Sequence, residues 1–419
     1  RISLRFGPKD FKRRSIDGLG DDWPIGYEDV KPFYDRVDKL IGVFGTNEGL
    51  ENDPDGFFLP PPKPRLHELM IKNAAITSGV KVIPSRLSIL TQQLPDNKER
   101  SACAFCAQCG RNCSFYKADF SSPNVLIYPA LKTGNIDIVS NAMAREVLTN
   151  KEGMATGVSY VSKDDMLEYQ VEGKVVILAA SACESARLLL NSKSQRHPNG
   201  LANNSNVVGK YLHDSTGAAM GGILPQLFDR KRYNEDGVGG MHVYSPWWLD
   251  NKKLEFPRGY HIEYWGGQGQ PSYGFNWGIE SLNGKYVVKG KQKEAGGYGA
   301  SLKEDHRYFY GAGVGMAGRG EAIPLESNYC EIDPTTVDRF GIPVLKFNVK
   351  WSEHEINQAK HMKETFKEVM HNMGAVITWG GDDNASNDYG LSKPGEIIHE
   401  GGTVRMGNDP KRSALNKWS

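Results

Sequence analysis

Cys103, Cys106, Cys109 and Cys113 fall within eleven residues, in the spacing C-x2-C-x2-C-x3-C. Thiolates this close can converge on one soft metal centre, because a loop containing Gly110 can wrap around a small cluster. Bacterial ferredoxins hold an iron–sulfur cluster with the same spacing, although here Ser114 follows the last cysteine where those proteins have proline. A [4Fe–4S] cluster would use all four; a [3Fe–4S] cluster needs three, for which Cys103, Cys109 and Cys113 are the natural set. The alternatives are a zinc knuckle, disulfides or free thiols. Four ligands in so short a run are cramped for tetrahedral zinc, and disulfides here would close loops too small to contribute much. The other two cysteines, Cys183 and Cys330, are isolated.

A second chemical feature lies near the end. His399 is followed by Glu400, the pair Gly401-Gly402, then Thr403, Arg405, Met406 and Gly407. Glycine lets a backbone approach a ligand closely, and imidazole is the side chain best suited to accept a proton near neutral pH. A lone histidine is still more often structural than catalytic, and there are ten.

The elements that must position these groups can be read from periodicity. Val30, Phe33, Tyr34, Val37, Leu40 and Ile41 mark one face of a helix that stops at Gly42. Residues 66–78 read as a second helix ending at Gly79, and 80–83 as a short strand. Residues 136–139 read as a strand. Residues 146–148 and 156–161 form a hairpin about Lys151, Glu152 and Gly153. Val175 to Ala180 is a continuous apolar run, which suits a strand buried on both faces of a parallel sheet. It leads through Ser181 into a helix over 182–191, and strand, small-residue turn and helix make half of a nucleotide-binding unit. Residues 213–350 are rich in glycine and aromatics and read as an antiparallel sheet, with strand-like runs at 260–265, 308–310, 328–332 and 344–349. Ser352 and Glu355 form a capping box for a helix to Met373, stopped by Gly374. The fold class is therefore α/β (mixed α+β).

The chain has 419 residues, 39% hydrophobic and 24% charged, which suffices for a large core of two or three domains. Its 51 Lys+Arg against 50 Asp+Glu lacks the basic excess of a nucleic-acid binder. No run approaches the ~18 apolar residues of a membrane span. It opens on Arg1 and closes on Ser419 without a cap, and so reads as an internal stretch of a longer protein.

The segment from His399 to Gly407 resembles the C-terminal signature of the glucose–methanol–choline (GMC) flavin oxidoreductases. Other segments agree in order. Asp22, Trp23, Pro24 and Tyr27, with Pro32 to Tyr34 and Ile41 to Val43, resemble the stretch after the family's first flavin-binding region. Residues 179–189 resemble its second signature, with Ser181 where glycine is usual and Ala186 where proline is usual. Val208 to Leu212 with Asp214 resemble the link into the substrate domain, and Glu321, Pro324, Asn328, Asp338, Gly341 and Pro343 fit the later strands. The cysteine run points to the bacterial branch of sugar and sugar-acid dehydrogenases.

This resemblance implies a partial FAD/NAD(P)-binding Rossmann-like domain plus a substrate domain whose antiparallel sheet is flanked by helices. The expected divisions are 1–100, a helical and irregular flavin-covering segment; 101–114, the cysteine loop; 115–212, part of the FAD domain; 213–390, the substrate domain; and 391–419, a return to the FAD domain. It implies dehydrogenation of a sugar, sugar acid or other alcohol, with hydride passing to FAD and His399 as base. Val147 matches the position whose backbone meets the adenine, and Ala180, Ser181 and Ala182 match the turn near the flavin. Electrons would leave through an iron–sulfur cluster to a cytochrome c, with a small accessory subunit and a periplasmic setting. The family's Gly-rich FAD motif and second active-site His or Asn are expected outside this chain, which is expected to be inactive alone. A flavin alcohol oxidase or lyase on the same scaffold, or a non-catalytic metal or electron-transfer module, are the alternatives. Trp247, Trp248, Tyr264, Trp265, Tyr273, Phe275 and Trp277 are candidates to stack on a sugar ring; His213, His242, His261 and His306 read as structural or peripheral.

Overall fold

A computed structural model describes residues 2–106, 113, 116–231, 237–246, 254–267, 285–288, 291–294 and 299–419. Its largest sheet is antiparallel and six-stranded. In chain order its strands are β1 (Ile83–Pro84), β5 (Thr216–Ile223), β6 (Val243–Ser245), β7 (Tyr260–Gly266), β8 (Gly313–Gly320) and β11 (Val376–Trp379). In space they run β11, β5, β8, β7, β6, β1. Strand alternation divides the two faces. Tyr260, Ile262 and Tyr264 of β7 are buried, whereas His261, Glu263 and Trp265 are partly exposed on the other face.

The buried face is covered by α4 (Glu353–Asn372) and α2 (Leu66–Thr77). The capping box opens α4: Ser352 Oγ accepts from His354 N–H at 3.3 Å, and Glu355 accepts from Ser352 N–H at 2.7 Å. Ala359, Met362, Phe366, Val369 and Met370 are buried against the sheet with Ile71 and Ala75 of α2. Gly318 permits this approach, since a Cβ there would overlap Met362.

A four-stranded sheet runs β10 (Pro343–Asn348), β9 (Tyr329–Val337), β4 (Lys210–His213), β12 (Gly401–Thr403). The helix α3 (Ser181–Asn191) buries Ala186, Leu189 and Leu190 beside Val208, Leu212 and Cys330 of this layer. An antiparallel meander of Ala142–Thr149, β2 (Ala155–Ser162) and β3 (Glu168–Glu172) stands beyond it, turning at Gly153 as the sequence predicts.

Four expectations are corrected. Residues 175–180 form no strand: none of the described strands pairs with them, and Val175 and Ile177 are 77% and 84% exposed. A parallel strand exists only through its neighbours, so apolar sequence alone does not create one. Residues 136–139 are also extended without pairing. Tyr308 and Phe309 end a helix, Ala300–Phe309, and pack on Phe228 rather than in a strand. Finally, α1 (Tyr27–Ile41) is helical as expected, but half of its apolar stripe faces outward. Phe33, Val37 and Leu40 are exposed and Tyr27, Asp38 and Ile41 are buried. The cause is Arg5, which is buried between Asp35, Asp38 and Tyr27 and turns the acidic side of the helix inward.

A buried polar cluster pins α2 to the sheet. Glu68 accepts from Arg65 N–H and His242 N–H at 2.7 and 2.8 Å, and pairs with Arg65 Nη2 at 2.6 Å. Burial pushes its carboxyl up, but Arg65 and the imidazoles of His242 and His67 prevail and hold it at about 2, against 4.5 ordinarily. A depressed carboxylate stabilises the fold above its unfolded value, and that contribution is lost as pH falls. Thermal unfolding between pH 6 and 2 should therefore show the native protein losing on the order of 3 kcal/mol through this group, by linkage. The gap to Glu68→Gln should close over the same window.

Candidate active site

Opposite α4, the sheet floors an open cleft of about 580 Å³ whose rim carries His399, His213 and the segment around Glu321. His399 is exposed at its mouth. The residues before it are gripped by one buried carboxylate. Asp214 Oδ2 accepts N–H bonds from Gly395, Ile397 and Ile398 at 3.1, 3.2 and 3.2 Å. Its Oδ1 accepts from His399 and Ser215 at 2.9 and 2.7 Å. Bonds to an ionised acceptor are the strong kind. They hold Ile398 at φ 60°, where a β-branched side chain is seldom found.

Beyond His399 the chain returns along β12. Gly401 pairs with His213, and a Cβ on Gly402 would overlap the Tyr211 carbonyl, so the two glycines allow β12 to lie against β4. His213 Nδ1 donates to Tyr211 O at 2.9 Å, and burial holds its imidazole below the ordinary value, so it stays neutral. Thr403, at φ 63°, donates its hydroxyl to Ala182 O at 2.7 Å. That bond brings together the two segments that sequence reasoning singled out separately: the histidine strap and the turn at 180–182.

The turn itself consists of small residues. Ser181 is exposed and has φ 62°, a conformation natural to glycine, and Ala180 and Ala182 are half-buried. An exposed, small-residue turn tied to the strap beside the cleft fits the edge of a planar ring. Val147 is buried and its N–H bonds to Ser192 Oγ at 2.8 Å, leaving that donor already used.

The floor is polar. His261 and Arg319, which line it, are cross-strand partners; Glu263, two residues along the same strand and lining the neighbouring pocket, lies 3.6 Å from His261 Nε2 and 3.7 Å from Arg319 Nε. Burial raises the Glu263 carboxyl, but His261, Arg319 and His399 together hold it below its usual range. Along the wall, Arg13 pairs with Glu321 at 2.6 Å and Asp10 at 3.0 Å, and Arg258 pairs with Asp17 at 2.9 Å. Trp265 stacks on Trp379 with centroids 6.3 Å apart; Gly221 and Gly315 leave room for these rings. Tyr264 is a core residue whose hydroxyl meets Ser245 at 2.6 Å. Trp247, Trp248, Tyr273, Phe275 and Trp277 lie outside the described residues. Sequence reasoning gave Glu263 and Arg319 no role and set His213 and His261 aside. The alternation of polar His261 and Glu263 with Tyr260, Ile262 and Tyr264 was the available signal.

Among the described residues no three His, Cys, Asp or Glu side chains are placed to share a metal. Cys103 is buried in an apolar cluster with Phe44 and Leu90, and Cys113 packs against that cluster. Cys106 is exposed and bridges to Gly237. Cys109 lies outside the described residues. Burial pushes the Cys183 and Cys330 thiols up to about 11 and about 12, so both stay protonated.

Two profiles described as GMC oxidoreductase match the chain, over residues 62–216 and 324–419. The chain belongs to the GMC oxidoreductase family of FAD-dependent oxidoreductases. It is 28% identical to the 2-methyl-1,2-propanediol dehydrogenase of Mycolicibacterium austroafricanum, over 99% of this chain and 70% of that protein. It is 24% identical to the fructose dehydrogenase large subunit of Gluconobacter japonicus, again over 99% and 70%. Identity is also 24% to the gluconate 2-dehydrogenase flavoprotein of Pantoea cypripedii, over 95% and 65%. A solved Aspergillus oryzae formate oxidase shares the fold at 12% identity, with a TM-score of 0.57 over 99% of this chain and 76% of that one.

Replacing Asp214 tests the grip on the strap. Asp214→Asn keeps the volume but removes the charge and one acceptor oxygen. It should lower stability by about 3 kcal/mol, the scale of charged hydrogen bonds lost, and limited proteolysis should then cut within 395–403.

Proposed function

We propose that the chain carries the substrate side of an FAD-dependent dehydrogenase of sugars or other alcohols, with His399 as the base. The observation that supports this most is the Thr403–Ala182 bond, which ties the strap carrying His399 to the turn at 180–182. Bound FAD would supply the hydride acceptor. Ala180, Ser181 and Ala182 would flank its ring, and the Val147 backbone its adenine end.

The chain's own residues then have distinct tasks. The polar floor at His261 and Arg319 would orient hydroxyl groups. The imidazole of His399 takes the hydroxyl proton as the carbon gives up its hydride, so the substrate loses two electrons and two hydrogens in all. The grip of Asp214 spares the strap any search for position, which is where much of such an advantage arises. His213, neutral and buried against Gly401, supports the strap and moves no proton. The relatives matched over nearly the whole chain are named dehydrogenases, which favours an acceptor other than oxygen. An iron–sulfur exit at Cys103, Cys106, Cys109 and Cys113, leading to a cytochrome, belongs to this reading as an expectation. Cys109 lies outside the described residues, and among the described ones the cysteines form no converged ligand set.

His399→Gln should slow bleaching of the flavin by an oxidisable alcohol by about 10²–10⁴-fold, the usual share of a general base. The absorbance of bound FAD should be unchanged. A variant within about tenfold of the native rate would remove His399 from the mechanism. Separately, iron and acid-labile sulfide measured on purified protein decide the electron exit. Near-stoichiometric amounts that vanish in Cys109→Ser support it; a yellow, iron-free protein that still reduces dyes rules it out.

A further inference from the structure

The charge balance of the cleft narrows the substrate class. Each described arginine on its lining has a carboxylate partner. Arg5 has Asp35 and Asp38, Arg13 has Asp10 and Glu321, and Arg258 has Asp17 and Glu321. On the floor Arg319 has Glu263. Of the other acids on the lining, Asp21 pairs with Arg405 and Arg412, Asp214 holds the strap, and Glu400 adds a further carboxylate; the described lining contains no lysine.

A carboxylate substrate is normally captured by a guanidinium free to offer its paired N–H donors. Arg319 is the cation on the sheet floor, and it is half engaged: its Nη1 donates to Gly318 O at 3.2 Å and its Nε faces Glu263. A carboxylate approaching Arg319 would enter the field of Glu263, 3.7 Å from its Nε, and like charges in a sheltered cleft repel. Hydroxyl groups suffer no such conflict, because they both donate and accept. They can accept from Arg319 and exchange a hydrogen bond with His261. Relatives on both sides of this divide, acting by name on neutral diols and sugars or on gluconate, show that family membership does not decide it.

We propose that this cleft takes an uncharged polyol or sugar, and that Glu263 sets the preference by occupying Arg319 and so denying it to a carboxylate. The inference deepens the dehydrogenase reading and rests on the same cleft. Glu263 is thus a specificity-determining residue that acts through Arg319.

Sorbitol and gluconate separate the two cases, since they share a six-carbon hydroxylated chain and differ at one end group. Binding to the FAD-loaded enzyme is measured by calorimetry, and flavin bleaching is followed in parallel. Sorbitol should bind at least about tenfold more tightly than gluconate, the scale of one misplaced charge. Glu263→Gln should tighten gluconate by about tenfold and leave sorbitol within about threefold. The double variant E263Q/R319Q should return gluconate to its weak native affinity, which no general loosening of the fold would do. Equal or tighter gluconate binding by the native enzyme, no detectable sorbitol binding, or an unchanged ratio in a folded E263Q protein overturns the proposal. Flavin that no alcohol bleaches would sink the dehydrogenase reading, whereas the binding ratio judges the role of Glu263 independently.

Discussion

A single buried carboxylate organises the candidate site. Asp214 stands at the junction of β4 and β5, one strand from each of the two main sheets, and receives the backbone N–H groups of a strap 185 residues further along the chain. A carboxylate so deeply buried would be costly if left bare; surrounded by donors it becomes a fixed point. Because those donors are main-chain groups, the strap follows Asp214 whatever its side chains are. Its unusual backbone at Ile398 is the visible result.

The large sheet shows how one alternation serves two purposes. Even-numbered residues of β7 enter the core beneath α4, and odd-numbered residues lie on the opposite face, where His261 lines the cleft. Glycines appear on both sides of the arrangement for the same steric reason. Gly318 admits Met362 on the helix side, and Gly221 and Gly315 admit the rings of Trp379 and Trp265 on the other. The thin, glycine-rich centre of β5 and β8 is thus a requirement of packing on both faces. It explains why this region carries few of the bulky β-branched residues common in strands.

What the sequence made legible follows from how local each cause is. The helix α4 was readable in full because its cap, its buried stripe and its stop at Gly374 are all set within the element. The hairpin about Gly153 was readable for the same reason, whereas the third strand of the meander, the exposed and polar β3, was not. The segment 175–180 was not, because a parallel strand is defined by partners elsewhere. The orientation of α1 was not either: its apolar periodicity is real, yet Arg5 lies 22 residues before Tyr27 and its burial decides which side faces in. In the site, His399 and the small-residue turn stood out by motif. Glu263 and Arg319 did not, since their pairing depends on the register of β7 against β8, which no spacing in the sequence encodes.

The two attachments on either side of His399 have a mechanical corollary. Asp214 anchors the chain up to residue 399, and the hydroxyl of Thr403 moors it again four positions on. A span this short with both abutments fixed has little slack. The imidazole is left with its own two torsions as its range of travel, so a reacting molecule has to be carried to the ring by the opposite walls, and access is governed by the shape of the cavity instead of by any swinging arm.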